Sequence, residues 1–384
     1  MRRLTGRLTG WLIPIGAVAA ALGLGALMLL ALGADPLTGY ATMFGAAFGN
    51  LDGLAATTMK GVPLLLVGVG ICISFRASVI NIGGEGQMVM GGLLATFTAL
   101  CFPHLDSYLL VPMVLLAGIV GGGLWGAIPG ALKAHFNVSE ILSTIMLNIV
   151  AVQIMNFLLR GPLIDPGEIA RGTRIPQTAR LPEASDLPLL FAGLRIHLGV
   201  VIAILAALAA WLLLWHTTLG FRLRSVGLNR DAARYAGIPV KRSIVTALAF
   251  SGAMAGLAGA ILVFGSESHR MVTDGSSTGF TGSAGFNGIV VALLAGLHPL
   301  WSIPSALLFG GMLVGANALQ RAAQVPSALV IALNGLIVVL VVSSEYFRQK
   351  IQRRVAAAAP DDRKLPATES EEHSDLSPQR CADE

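Results

Sequence analysis

Charge is what this chain is short of. Only 12 % of its 384 residues are Asp, Glu, Lys or Arg, about half the share of a soluble domain, so a water-facing globular fold is excluded before any motif is read. Acids number 21 against 26 bases, and the pI is near 9.4. That balance does not point to nucleic acid, because the bases stand at the edges of apolar runs, as the positive-inside rule requires. The three cysteines, Cys72, Cys101 and Cys381, show neither metal-ligand spacing nor a disulfide framework. The seven histidines are dispersed and form no HExxH pair. The sequence has no GxxxxGK(S/T) phosphate loop and no GxSxG elbow, so this chain is expected neither to bind ATP in that way nor to perform acyl transfer. It also has no clustered intramembrane Asp, Lys or His of the kind a proton-coupled carrier needs. No catalytic residue, metal ligand or cofactor is expected.

What is present is apolar: 54 % hydrophobic residues and a mean hydropathy of +0.74, the composition of an all-α integral membrane protein. Trp11 to Gly33 reads as a first span held by Arg2, Arg3 and Arg7. Asp35 to Lys60 reads as an interfacial helix on the outer side, and Val62 to Ile80 as the second span. After the interruption Asn81 to Gln87, a short apolar run covers Met88 to Phe102. Further spans follow at Leu109 to Leu132, Ile141 to Leu159, Ile196 to Trp215 and Ile244 to Gly265. A Gly/Ser/Thr-rich stretch, Ser266 to Gly288, precedes a short run, Ile289 to Leu297, and the last spans are Ile303 to Leu319 and Ala328 to Val342.

The loop Gly161 to Arg195 balances its charges and suits the periplasm. The loop Leu219 to Arg242 sets six basic residues against Asp231 alone and suits the cytoplasm. Counting the short run at Ile289 as a crossing puts both termini inside and gives about ten crossings. The expected organisation is a permease domain over residues 1–348 and a disordered cytoplasmic tail over 349–384. The two glycine-interrupted elements, NIGGEGQMVMGG and GFTGSAGFNGIVVALLAG, enter from opposite sides. They imply two inverted four-helix units whose broken helices line a path.

Two places carry chemistry. In LGFRLRSVGLNRDAARYAGIPVKR, Asn229 is an N-cap, Asp231 complements the helix dipole, and Gly237 followed by Pro239 ends a helix over Arg230 to Ala236. Ala232, Tyr235 and Ala236 form its apolar face, and Arg230 and Arg234 lie on another. So short a helix is marginal alone and must dock on something. The expected docking set is Asn229, Arg230, Asp231, Ala232, Ala233, Arg234, Tyr235, Ala236 and Gly237. The second place is polar and intramembrane: Asn81, Glu85, Gln87, Thr144, Asn148, Phe286 and Asn287 are the candidates for a substrate path. The bland alternative is interhelical hydrogen bonding for Asn and Thr, and for Glu85 a place at the interface, paired with Arg76 or hydrogen-bonded to loop backbone.

FRASVINIGGEGQMVMGGLLA (75–95) resembles the signature of permease subunits of ABC importers for simple sugars and nucleosides, within the branched-chain amino-acid permease superfamily. VSEILSTIMLN (138–148), LGFRLRSVGLNRDAARYAGI (219–238) and GFNGIVVALLAGLHP (285–299) match three further blocks in the family's order. The resemblance covers about Pro36 to Phe347, and the NIGGEGQ variant looks like the longer of two paired permeases in nucleoside-type systems. It implies a type II importer fold and a bacterial inner-membrane location. The implied partners are a paralogous second permease, an ATPase subunit that holds ATP-Mg and docks at 230–236, an external binding protein, and membrane lipid. Nucleosides or related purine compounds are the implied substrates. Ribose- or galactose-type sugars are the alternative, and an ion-coupled carrier is a more distant one.

Overall fold

The computed structural model describes residues 35–323 except 192 and 266–268, together with residues 16, 19–20, 23–31, 33, 335–336 and 339–340. The expected last span and tail, and much of the first span, lie outside the described residues.

Helix α1 (Pro36–Phe48) starts where the Asp35 carboxylate accepts the backbone N–H groups of Leu37 and Thr38, and it stops at Gly49. Asn50 then caps α2 (Leu51–Arg76), accepting the N–H of Gly53 at 2.6 Å. The interfacial helix expected over Asp35 to Lys60 is therefore two elements, and Leu51 to Lys60 forms the first turns of a 26-residue span. The cause is local: a glycine stop followed by an Asx cap restarts the helix in a new direction.

Short α3 (Gly84–Cys101) is followed by α4 (Ser107–Phe136) and α5 (Glu140–Arg160), whose turn is closed by a Lys133–Glu140 ion pair of 3.0 Å. The periplasmic-type loop is not all irregular. It carries α6 (Pro166–Arg171) and an antiparallel hairpin, β1 (Leu189–Phe191) with β2 (Leu194–His197), a small exception to the all-α expectation. Arg270 pairs with Asp165 at 3.0 Å and His269 with Asp186 at 2.8 Å, fastening this loop to the segment after α10. Burial pushes the His197 imidazole down to about 4, and its neutral Nδ1 accepts the N–H of Gly199.

Next come α7 (Gly199–His216), α8 (Thr218–Leu228), α9 (Arg230–Tyr235), α10 (Val240–Phe264), α11 (Ser277–Thr281), α12 (Ala284–Leu294) and α13 (Ser302–Ala323). Among the described residues, α2, α4, α5, α7, α10 and α13 are long and apolar enough to cross a membrane alone. The bent pair Gly23–Ala31 and α1, which meets at 118°, would add one more. Helices α2 and α10 are buried on nearly every side, which is why their sequences are apolar all round rather than striped.

Packing around α10 depends on absent side chains. Gly118, Gly122 and Gly126 of α4 lie against Gly252 and Gly256 of α10, with backbone touching backbone. Lipid offers no hydrophobic drive for helices to associate, so close van der Waals approach of small residues does the work.

Candidate transport core and coupling helix

Both broken elements begin inside the bundle, and they arrive from opposite ends. From Arg76 the chain turns through Ser78, at φ 55°, and runs back along 79–83 to the buried start of α3. From Gly265, packed on His197 at the hairpin end, the chain returns through 269–283 to the buried start of α12. The two N-termini meet: a Cβ on Gly285 would stand 2.8 Å from a Glu85 carboxyl oxygen, and one on Gly84 3.2 Å from the Gly285 Cα.

Glu85 sits at this meeting point and is fully buried. Its carboxyl accepts the N–H of Phe286 at 3.2 Å and the hydroxyl of Thr281. It therefore does for α12 what an N-cap residue does from within a chain segment, and the positive ends of two helices face it. Of the two alternatives for Glu85 at an interface, pairing with Arg76 is corrected, and the carboxyl is hydrogen-bonded to backbone, though within the bundle. Arg76 instead donates its Nε–H to the carbonyl of Leu297 at 3.1 Å.

The other path candidates are drawn into the same knot. Asn81 donates to Gln87 Oε1 at 2.9 Å and to Ser251 on α10 at 2.8 Å, and its own Oδ1 accepts from Gly83 N and Gln87 Nε2. Asn148 accepts from Gly86 N at 2.8 Å and donates to the carbonyl of Ile82 at 2.9 Å. Thr144 bonds to carbonyls of its own helix, Glu140 at 2.7 Å and Ile141 at 3.1 Å. Asn81, Glu85, Gln87, Thr144 and Asn148 are all buried, and the hydrogen bonds of their side chains run to neighbouring helices and backbone. The N–H groups of 77–79 bond back to the carbonyls of Ser74 and Phe75. Further along the irregular segment, Asn81 and Asn148 supply partners for Gly83 N, Gly86 N and the carbonyl of Ile82. Phe286 is 44 % exposed and Asn287 half-buried, which leaves them at a surface.

The sequence reading passed over Thr281, Ser251 and Gln153. Ser251 and Thr281 act on residues 170 and 196 positions away, with no local signal. Gln153 is exposed at the middle of α5 between exposed Val150 and Phe157. An amide interrupting an apolar face was the available signal.

Glu85→Ala is expected to leave the Phe286 N–H without an acceptor, at about 1–3 kcal/mol, while the Thr281 hydroxyl keeps the carbonyl of Ser277. Thermal unfolding in detergent should show Ala well below wild type and Gln in between, because Gln keeps one acceptor oxygen. A Glu85→Ala protein that melts with wild type would remove this role.

At the basic end, α9 forms as its caps require. Asn229 Oδ1 accepts the N–H groups of Asp231 and Ala232, both at 3.0 Å, and Gly237 has φ +77°. Helix α8 precedes it, capped by Thr217, so the basic loop is mostly helical. The apolar face named from the sequence points away from the bundle. Ala233 is buried, whereas Tyr235 is 93 % exposed and Ala232 and Ala236 are exposed. Arg230 also turns inward and donates to the carbonyl of Ser78 at 2.9 Å. Arg234 stays outside. The free face of α9 thus presents an aromatic ring and a cation, and its anchored face is tied to the segment that leads to α3.

Residues 53–342 match the family described as "Branched-chain amino acid transport system / permease component". The chain belongs to this permease family. The guanosine ABC transporter permease protein NupP of Bacillus subtilis (strain 168) is 35 % identical over 347 residues, covering 89 % of this chain and 96 % of that protein. The glucose ABC transporter permease protein TsgB13 of Haloferax volcanii is 32 % identical over 88 % of each chain. The nucleoside ABC transporter permease protein NupB of Lactococcus lactis subsp. cremoris (strain MG1363) is 32 % identical over 81 % of this chain and 85 % of its own. No solved structure matches the permease at a significant level. The protein is thus a multi-pass transport subunit of an ABC system and not an enzyme.

Proposed function

We propose that this permease forms half of the translocation path of an ATP-driven importer for nucleosides or related purine compounds. The observation that carries the substrate class is the near full-length similarity to a permease named for guanosine. A second reading, a simple-sugar importer, is favoured by the similar coverage of a glucose permease. Helix α9 is the coupling element in this account. Its exposed Tyr235 and Arg234 meet an ATPase subunit that holds ATP-Mg, and Arg230 passes its displacement to Ser78 and along 79–83 to the knot at Glu85.

The second permease, a paralogue, covers the face of α5 around Gln153, because an amide facing lipid is costly and a partner or a wet path removes that cost. Phe286 and Asn287 line the path. An external binding protein meets the hairpin end, the membrane is the bacterial inner membrane, and both termini are cytoplasmic.

The test is uptake of labelled guanosine and adenosine in cells with and without this chain, each with excess ribose or glucose as competitor. Chain-dependent uptake that resists both sugars supports the nucleoside reading. Chain-dependent sugar uptake with no nucleoside entry would replace it with the second.

A further inference from the structure

At the basic end of the bundle, two guanidinium groups and an imidazole surround one indole. Trp215, in the last turn of α7, has the Arg76 guanidinium 5.4 Å and the Arg224 guanidinium 5.9 Å from its ring centroid. The His298 ring lies 4.9 Å from it, on the turn between α12 and α13. Among the described residues no ion pair involves Arg76 or Arg224. Apart from the carbonyls of Leu297 and Gly296, which accept from Arg76, the two positive charges meet the indole face and no acid among the described residues. Arg224 Nε–H is also an orphaned donor, buried with no hydrogen-bond partner, and His298 Nδ1 is a second buried polar atom without one. Burial, and then the nearby Arg76 charge, hold the His298 pKa below its usual value. Buried orphan donors are rare enough that each asks for a missing acceptor.

We propose that the cluster of Arg76, Arg224, His298 and Trp215 binds a phosphoryl anion, supplied by the headgroup of an anionic phospholipid. The chemistry fits: the unpartnered Nε–H of Arg224, a second guanidinium beside it, no acid paired with either among the described residues, and an indole of the kind that marks the membrane interface. Acyl chains have a surface beside it, because Leu208, Leu212 and Phe221 are 41 %, 44 % and 59 % exposed on α7 and α8. Basic pockets between helices on the cytoplasmic side are where such headgroups bind. The site joins the end of α2, α8 and the α12–α13 turn, so an occupied site braces the helix from which α9 projects. This last point rests on the coupling reading above; the binding itself does not.

Native mass spectrometry of the purified full chain tests it, with phosphatidylglycerol and phosphatidylcholine as probes. Wild type should retain phosphatidylglycerol in preference to phosphatidylcholine. Arg224→Gln should lower that retention by about fivefold for the lost cation, and His298→Gln by less, because a neutral imidazole contributes a hydrogen bond and no charge. Arg242→Gln, a basic residue outside the cluster, should not. A melting curve for each variant confirms folding, and Arg224→Lys, which keeps the charge and loses the Nε–H, should retain more lipid than Arg224→Gln. Displacement by millimolar inorganic phosphate, with no preference between the lipids, would keep the anion site and assign it to a soluble phosphate. Equal retention of the two lipids with no effect of phosphate, or equal loss in Arg224→Gln and Arg242→Gln, would overturn the proposal.

Discussion

Gly122→Ala is expected to leave no folded protein to purify, whereas Gly123→Ala, one position along the same helix, should fold normally. A Cβ at Gly122 would overlap the carbonyl oxygen of Gly252 and stand 2.5 Å from the Cα of Gly256. Both are backbone atoms of the buried helix α10, so no rotamer change relieves the contact and the two helices must separate. Overpacking of ordinary cores costs about 1–3 kcal/mol, and a methyl driven into a helix backbone belongs at or above the upper end. At Gly123 the nearest atoms to a new Cβ are 3.5 Å away, an ordinary contact. There the gain in helix propensity from Gly to Ala, about 1 kcal/mol, should go uncancelled. Size-exclusion recovery in detergent checks the pair. A monodisperse Gly122→Ala protein would mean that α4 and α10 do not pack as described.

Tyr235→Ala should separate ATPase binding from folding. The side chain is 93 % exposed, so its loss should cost the permease itself little. If α9 is the docking helix, the same loss removes an aromatic anchor worth about 2 kcal/mol, roughly a thirtyfold drop in association. Ala233→Trp makes the contrast: Ala233 is buried against the bundle, so it should fail in folding and not in docking alone. Arg230→Gln should leave the ATPase bound but reduce transport per ATP hydrolysed, because the tie to Ser78 is lost. Co-purification of the ATPase in normal amount with Tyr235→Ala would move the docking surface elsewhere.

How legible these features were depended on how local their causes are. The caps of α9 could be read residue by residue, since Asn229 and Gly237 act within three positions of themselves. The helix ends at Tyr235, one residue from the expected end. Its packed face could not be read, because six residues with one buried alanine carry no usable periodicity. The break at Gly49 and Asn50 was written in the sequence as a stop and a cap, yet the mixed polarity of 35–60 masked it. The two opposed broken helices were visible as glycine-rich interruptions in topologically related places. The hydrogen-bond partners of their polar residues could not be read, because those of Glu85 stand 196 and 201 positions away. Asn81 and Asn148 bond to the backbone of 82–86, and Gln87 holds the side chain of Asn81.

The energy source is the most direct test of the central claim, that this chain is the permease of an ATP-driven importer. Uptake of labelled guanosine should be measured in cells that depend on this chain, once with ATP depleted and the ion gradients intact, and once with the gradients collapsed by an uncoupler and ATP maintained. The account predicts that uptake stops in the first case and continues in the second. Uptake that survives ATP depletion and stops with the uncoupler would contradict it and make the protein a gradient-driven carrier.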